Sequence, residues 1–237
     1  MKINYYLGGY YLIKLRSIQS ANNKNDIVYT CSDCINDNLV FYSLLSDFLG
    51  NEYVEQIKSE YGFNKNEIEL IRQWISDKYV QNQIGFSNVF TEIQFAKEYK
   101  NKFFKNLNQV KLLSIYFNEN ESNEIFKFFN QCGGRNGNGI CQILDKKISE
   151  KDNEEKLLGY DLIGMEWGGD FHSFHCHNIE KELSKKFEIT LNEYGLFNDC
   201  QNLNLVLDYM NNEENGFEHC PWFVGKVKMV SENILEE

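Results

Sequence analysis

Proline is almost absent from this chain, with Pro221 the single example in 237 residues. That excludes a Pro-rich linker, and no internal repeat or low-complexity spacer divides the sequence. Long apolar runs are missing too, so no segment reads as a helix spanning a bilayer. The opening "MKINYYLGGYYLIKLRS" is interrupted by Gly8 and Gly9 and lacks the apolar core and small-residue cleavage site of a signal peptide. Positive charge is scarce: 24 Lys and Arg stand against 35 Asp and Glu, for a net charge of −11 and a pI near 5.0. Lysines are interleaved with acids and Asn, as in "KNKFFKNLNQVK", so no basic stripe is available for phosphate or an anionic lipid surface. Neither nucleic acid nor a membrane is expected as a partner; a basic protein is. A cytoplasmic location is the simplest expectation, and with it the seven cysteines, an odd number, are expected to be reduced thiols.

Aromatic residues are plentiful. With 14 Tyr, 18 Phe and 42% hydrophobic residues the chain has material for a core built on rings, which favours a mixed α and β domain over a plain helix bundle. The excess of Asn, Lys and Ile fits the codon bias of an AT-rich bacterial genome and says little about chemistry. The expected architecture is a single α+β domain over residues 1–237, helix-rich in the first half, with a small mixed sheet packed by helices in the second. If it subdivides, the break falls near residue 108, between a helix-rich 1–108 and a sheet-containing 109–237.

Periodicity places the elements. Tyr5 to Leu15 reads as a strand with a turn or bulge at Gly8 and Gly9. In "NKNEIELIRQWISDKY", Asn64 can cap a helix with Glu67 three residues on, and Ile68, Ile71, Ile75 and Tyr79 recur at helical spacing. A second helix is expected from Ser87 through Phe90, Ile93 and Phe95 to Phe104. "VKLLSIYF" (110–117) reads as a strand, and Ser122 as the start of a helix carrying Ile125, Phe126 and Phe129. "LLGYDLIGMEW" (157–167) reads as a buried strand, Asp199 caps a helix carrying Leu203, Leu207 and Met210, and "WFVGKVKMV" (222–230) alternates as a late strand. The glycine-rich "CGGRNGNG" (132–139) resembles a phosphate loop only superficially, because it lacks the Lys-Ser/Thr ending and follows a helix. "KKISEKDNEEK" (146–156) reads as a solvated charged loop.

The stretch "WGGDFHSFHCHN" (167–178) concentrates three of the four histidines and a cysteine. As a metal site it suffers from spacing: on a helix His172 shares a face with His175 and with Cys176, whereas His175 and His177 share one only on a strand. No metal cofactor is expected. Were zinc bound, the arrangement the spacing allows is a split site using Cys31 and Cys34 of "CSDC" with His172 and His175. As a hydrolase, Cys176 or a metal would work with His172 and with Glu166 or Asp170, Cys176 being activated by a helix N-terminus. As plain structure, Asp170 or Ser173 caps a helix whose apolar stripe, Ile179, Leu183 and Phe187, runs back to His175. His172 and His175 then pack on the sheet with their nitrogens hydrogen-bonded, and His177 faces outward. The structural reading fits the residues best.

From Leu157 to Phe197 the chain resembles small cytosolic bacterial proteins, some of which look like immunity proteins of polymorphic or contact-dependent toxin systems. The matching parts are the Gly-Tyr-Asp strand, "FHS" at 171–173, Cys176, Asn178, the Glu-Lys-Glu helix start and "NEYGL". His175 and His177 stand where apolar and asparagine-like residues are expected in such a segment. The resemblance implies a cytosolic, acidic protein-binding protein that neutralises a basic toxin, without enzymatic activity; a metal-dependent or Cys/His hydrolase centred on 166–177 is the alternative. Candidate contacts are His175, His177, Glu213, Glu214 and Glu218, on or near "NEENGFEH", with the "EKDNEE" loop as a further surface.

Overall fold

The computed structural model describes residues 3–17, 27–46, 50–85, 88–131, 139–150, 155–166, 171–177, 179–201 and 203–231, with backbone alone at 50, 51, 180, 181 and 213. Six strands form one sheet: β1 (Tyr5–Lys14), β2 (Asp37–Asn38), β3 (Val110–Asn118), β4 (Glu155–Met165), β5 (Phe171–Ser173) and β6 (Trp222–Val230). Their spatial order is β2-β1-β3-β6-β4-β5, and each pairing is antiparallel. The α+β class is the one expected. The sheet is antiparallel rather than mixed, and it draws β1 and β2 from the first half, with β1 paired along its length to β3.

The two long outer pairings each contain one irregularity, and both sit at a glycine. The register shifts between Leu7 and Gly9 in β1 and between Leu157 and Gly159 in β4. Gly9 and Gly159 both have φ of 151°, which side-chain-bearing residues rarely adopt. The bulge expected at Gly8 and Gly9 is therefore present, and β4 carries its counterpart.

Helices α1 (Gly50–Tyr61), α2 (Lys65–Val80) and α3 (Ile93–Tyr99) lie between β2 and β3. Asn64 starts α2 by a capping box: its Oδ1 accepts from the Asn66 and Glu67 amides at 2.9 and 3.1 Å, and the Glu67 carboxylate accepts from the Asn64 amide at 2.8 Å. Ile68, Ile71, Trp74 and Ile75 are the buried face of α2. The helix expected from Ser87 starts later, at Ile93; Ser87 itself lies outside the described residues. Phe90 is extended because its amide donates to Tyr10 O at 2.9 Å and its carbonyl accepts from the Tyr10 amide at 3.2 Å, a bridge a helix would forbid. A π-helical turn, Lys100–Phe104, continues α3.

Helix α4 (Glu119–Gln131) begins three residues earlier than Ser122, since the Asn118 side chain accepts from the Glu121 amide at 2.9 Å and supplies the cap. It buries Ile125 and Phe129. The short α5 (Gly139–Asp145) starts at the last residue of the glycine-rich segment, whose residues 132–138 lie outside the described chain.

Helices α6 (Glu180–Phe187) and α7 (Leu203–Met210) bury Leu183, Leu203, Val206 and Met210 against Leu162 of β4 and Trp222 and Val224 of β6. A larger cluster takes the rest of the sheet with α1 to α5. Both clusters are ring-rich, as composition requires: Tyr11, Tyr99, Tyr116, Phe90, Phe117, Phe174 and Trp222 are almost wholly buried. Among the described residues no helix is long and apolar enough to cross a membrane.

Lysine 228 of β6 is only 3% exposed, so one side of the alternating strand carries a buried cation. It lies 3.0 Å from Glu150 and 3.6 Å from Glu155, and Glu150 also holds Lys226 at 2.7 Å. The acids at either end of the "EKDNEE" run, Glu150 and Glu155, are thus turned onto the sheet; residues 151–154, which make up the rest of that candidate surface, lie outside the described residues. Lysines 226 and 228 take the Glu150 carboxyl below its ordinary range despite the opposing effect of burial. Burial pushes that of Glu155 up, against a hydrogen bond from Tyr116 and the charge of Lys228.

Candidate functional site

The histidine-rich stretch divides into elements that aim its side chains apart. Residues 171–173 form an edge strand, paired through Gly164 and His172, so Phe171 and Ser173 point inward and His172 outward. This corrects the expectation of a helix start here. Period-two burial takes over from period 3.6 until a 3₁₀ turn at Phe174–His177, and the helical stripe begins at Ile179 rather than His175.

His172 Nε2 lies 2.9 Å from Glu166 Oε1; the His172 side chain is mostly covered, and it stands on the face of β5 opposite Phe171 and Ser173. His175 is buried as expected, with Nε2 2.7 Å from Gly195 O and its ring 4.1 Å from that of Phe174. His177 does not face freely outward: Nε2 is 2.6 Å from a Glu218 carboxylate oxygen, and the ring meets Phe217 and Trp222 edge-on at 5.0 and 5.7 Å. Asp170 lies outside the described residues, and so does the side chain of Glu213; Glu214 is exposed on a 3₁₀ turn.

Cys176 is bonded to Cys34 in a disulfide that joins residues 142 apart in sequence, with their Cα atoms 6.8 Å apart. The expectation of reduced thiols is corrected for this pair. Ser32 Oγ meets Phe171 O of β5, and this holds the neighbouring Cys34 beside Cys176. Neither sulfur is then a thiolate for catalysis or zinc. Cys31, the other candidate in "CSDC", is buried, and its thiol is pushed well up by that burial and by the charges of Asp161 and Asp33. Among the described residues no group of three or more His, Cys, Asp or Glu side chains is placed to hold a metal ion.

A buried polar cluster missed in the sequence lies behind the disulfide. Thr30 Oγ1 donates to Asp161 Oδ2 at 2.5 Å, Ser32 Oγ donates to Phe171 O at 3.0 Å, and the Tyr29 amide donates to Tyr194 O at 3.0 Å. These contacts fasten residues 28–32 to β4, β5 and the "NEYGL" turn. Asp161 is fully buried on β4; burial raises its carboxyl, and Thr30, His175 and the Leu162 amide hold the rise to about 6.

The chain beyond Cys34 forms one wall of a cavity of about 220 Å³, whose other wall is α1. Its acids are Asp33, Asp37 and Glu60; its tyrosines are Tyr42, Tyr53 and Tyr61. Three carboxylates face one guanidinium, Arg16, which pairs with Asp37 and lies 3.6 Å from Glu60. Tyr61 donates to Asp37 Oδ2 at 2.9 Å, and its ring packs 5.2 Å from Phe41. Burial and then Asp37 push the Tyr61 phenol up, so the tyrosines stay neutral donors. The arrangement can take a cationic side chain between rings and carboxylates. None of these residues was singled out in the sequence. The one available signal was the i, i+4, i+8 recurrence of Tyr53, Ile57 and Tyr61, which marks an aromatic helix face.

A second cavity of about 280 Å³ is lined by Met210, Phe217, Glu218, His219, Cys220 and Pro221. It coincides with part of the "NEENGFEH" stretch. Cys220 is no nucleophile there, since burial and then Glu218 and Glu166 push its thiol up to about 12. Comparison with known proteins finds no family model, no curated protein and no solved structure that matches this chain.

Proposed function

We propose that this chain is a protein-binding protein that docks a basic partner on the face centred on Asp33, Asp37, Glu60, Tyr53 and Tyr61, and that it serves as a cytoplasmic immunity protein against a basic toxin. The observation that carries the reading is the combination of tyrosines and an excess of carboxylates in one concavity. Tyrosine offers large contact area with few rotors to freeze, and carboxylates pair with guanidinium or ammonium groups that enter between the rings. The net charge of −11 steers a basic protein toward the surface before contact. The resemblance of residues 157–197 to immunity-type proteins supports the second step. The hydrolase alternative has less behind it, because His172, His175 and His177 have separate partners and Cys176 is bonded.

The test is calorimetric titration against purified basic toxin domains of polymorphic toxin systems, any encoded beside this gene first. Affinity in the nanomolar range or tighter, falling as salt rises, is expected. Asp33→Asn combined with Glu60→Gln, or Tyr53→Ala alone, should weaken it at least about tenfold, while His172→Ala leaves binding and protection of toxin-expressing cells unchanged. Full affinity in the cavity variants would contradict the proposal, as would loss of cell protection with retained binding in His172→Ala.

A further inference from the structure

We infer that the acidic cavity is built for a guanidinium, the end of an arginine side chain on the partner, and that Arg16 is a resident occupant which the incoming arginine displaces. The inference rests on the reading of this cavity as the docking site, and adds which cation enters and what must leave.

The cavity already holds the group in question. Arg16 is the one cation among the described residues that line it. Its Nη2 pairs with Asp37 Oδ1 and lies 3.6 Å from Glu60 Oε2, so a single guanidinium nitrogen spans carboxylates supplied by β2 and α1. The other Asp37 oxygen, Oδ2, accepts from the Tyr61 hydroxyl at 2.9 Å. An arriving cation therefore competes with Arg16 for Asp37 Oδ1. A further acceptor stands on the same wall: Asn88 Oδ1 is buried there without a hydrogen-bond partner. A buried acceptor left unpaired is costly, and a ligand that brings an N–H to it relieves that cost.

Guanidinium suits these acceptors better than ammonium does. It offers five N–H donors in a flat fork and is weakly hydrated, whereas an ammonium is a compact, strongly hydrated charge. A nearby ammonium, that of Lys14, stands over the Tyr61 ring, 4.7 Å from its centroid, instead of bridging Asp37 and Glu60. Arg16 can give way. Its side chain is half exposed, while its backbone amide stays fixed to Asn36 Oδ1 at 3.1 Å, so the guanidinium can swing out without moving β1. One guanidinium then replaces another, with charge and donors conserved at Asp37 and Glu60 and a donor gained at Asn88. The arginine belongs to a polypeptide. Free arginine carries a carboxylate of its own, and with Arg16 displaced that group would face Asp33, Asp37 and Glu60 with no cation among the described lining residues to pair it.

Magnetic resonance titration of the isotope-labelled full chain tests this, with capped Gly-Arg-Gly, Gly-Lys-Gly and Gly-citrulline-Gly peptides and free arginine as probes. The arginine peptide should bind at least about tenfold more tightly than the lysine peptide, shifting the Asn88 side-chain amide and the Glu60 amide, and the neutral citrulline peptide should not bind. Free arginine should bind more weakly than the capped peptide. Arg16→Gln, which removes the resident charge, should bind the arginine peptide at least about threefold more tightly than wild type. Equal affinity for the arginine and lysine peptides would overturn the inference while leaving a cation-docking cavity. Weaker binding by Arg16→Gln would overturn it too, by making Arg16 a contact instead of an occupant. Free arginine bound as tightly as the peptide would overturn the assignment to a partner's side chain. If no cation shifts these amides, the docking reading fails together with the inference. The peptides are compared on wild type, so the choice of cation is tested whether or not Arg16→Gln folds.

Discussion

Asp161 shows how one buried side chain sets a measurable property. Its carboxyl titrates at about 6 in the fold against an ordinary 3.8. Between those values the folded chain keeps a proton that the unfolded chain has lost, so stability from this group is present below about pH 4 and is lost as pH rises toward 6. The loss amounts to about 3 kcal/mol, reckoned from the shift of a fully buried group. Asp161→Asn stays neutral throughout and can still accept from Thr30. In urea unfolding, the variant should therefore gain on the wild type by about that much between pH 4 and 7. A stability difference independent of pH would show that the carboxyl is not held in the way described. The histidines teach a related lesson at this scale. His175 was legible as a packed, hydrogen-bonded residue, but His172 was not, because its direction depends on the strand pairing with β4 rather than on its neighbours in sequence.

At the scale of elements, α2 owes its start to Asn64, whereas β4 owes its register to Gly159. Asn64→Ala removes one half of a capping box and should lower stability by about 1 kcal/mol. Gly159→Ala should do more, about 2 kcal/mol or beyond. A Cβ there would stand 2.6 Å from Phe197 O, in a backbone conformation that alanine resists. Chemical denaturation of both variants checks the order, and equal midpoints for Gly159→Ala and wild type would refute the role given to the bulge. Elements with a full local signal were legible: the capped α2, the alternating β6, β1 with its bulge, and β3. Those set by tertiary pairing were not. Phe90 lies in a segment that looks helical and is pulled straight by Tyr10, and "FHS" lies in a segment of helical stripe and becomes the edge of the sheet. Helix α1 has its signal in Tyr53, Ile57 and Tyr61, although "CSDC" and the histidines draw the eye first.

For the whole molecule, composition anticipated the ring-rich core and the acidic balance, and both bear on function. The cavity could not be read as a motif. Arg16 follows β1, Asp33 and Asp37 flank the turn that carries Cys34, and Glu60 ends α1, so only the folded chain brings them together. The "NEENGFEH" segment, beside the second cavity at Phe217 to Pro221, is one of the two surfaces the sequence offered, the "EKDNEE" loop being the other. The most direct test of the account is hydrogen exchange on the complex with the basic toxin domain, in low and in high salt. Protection is predicted in peptides covering 33–43 and 53–61, weakening as salt screens the carboxylates. Protection confined to 213–221, or absent from both surfaces while the complex holds, would contradict it.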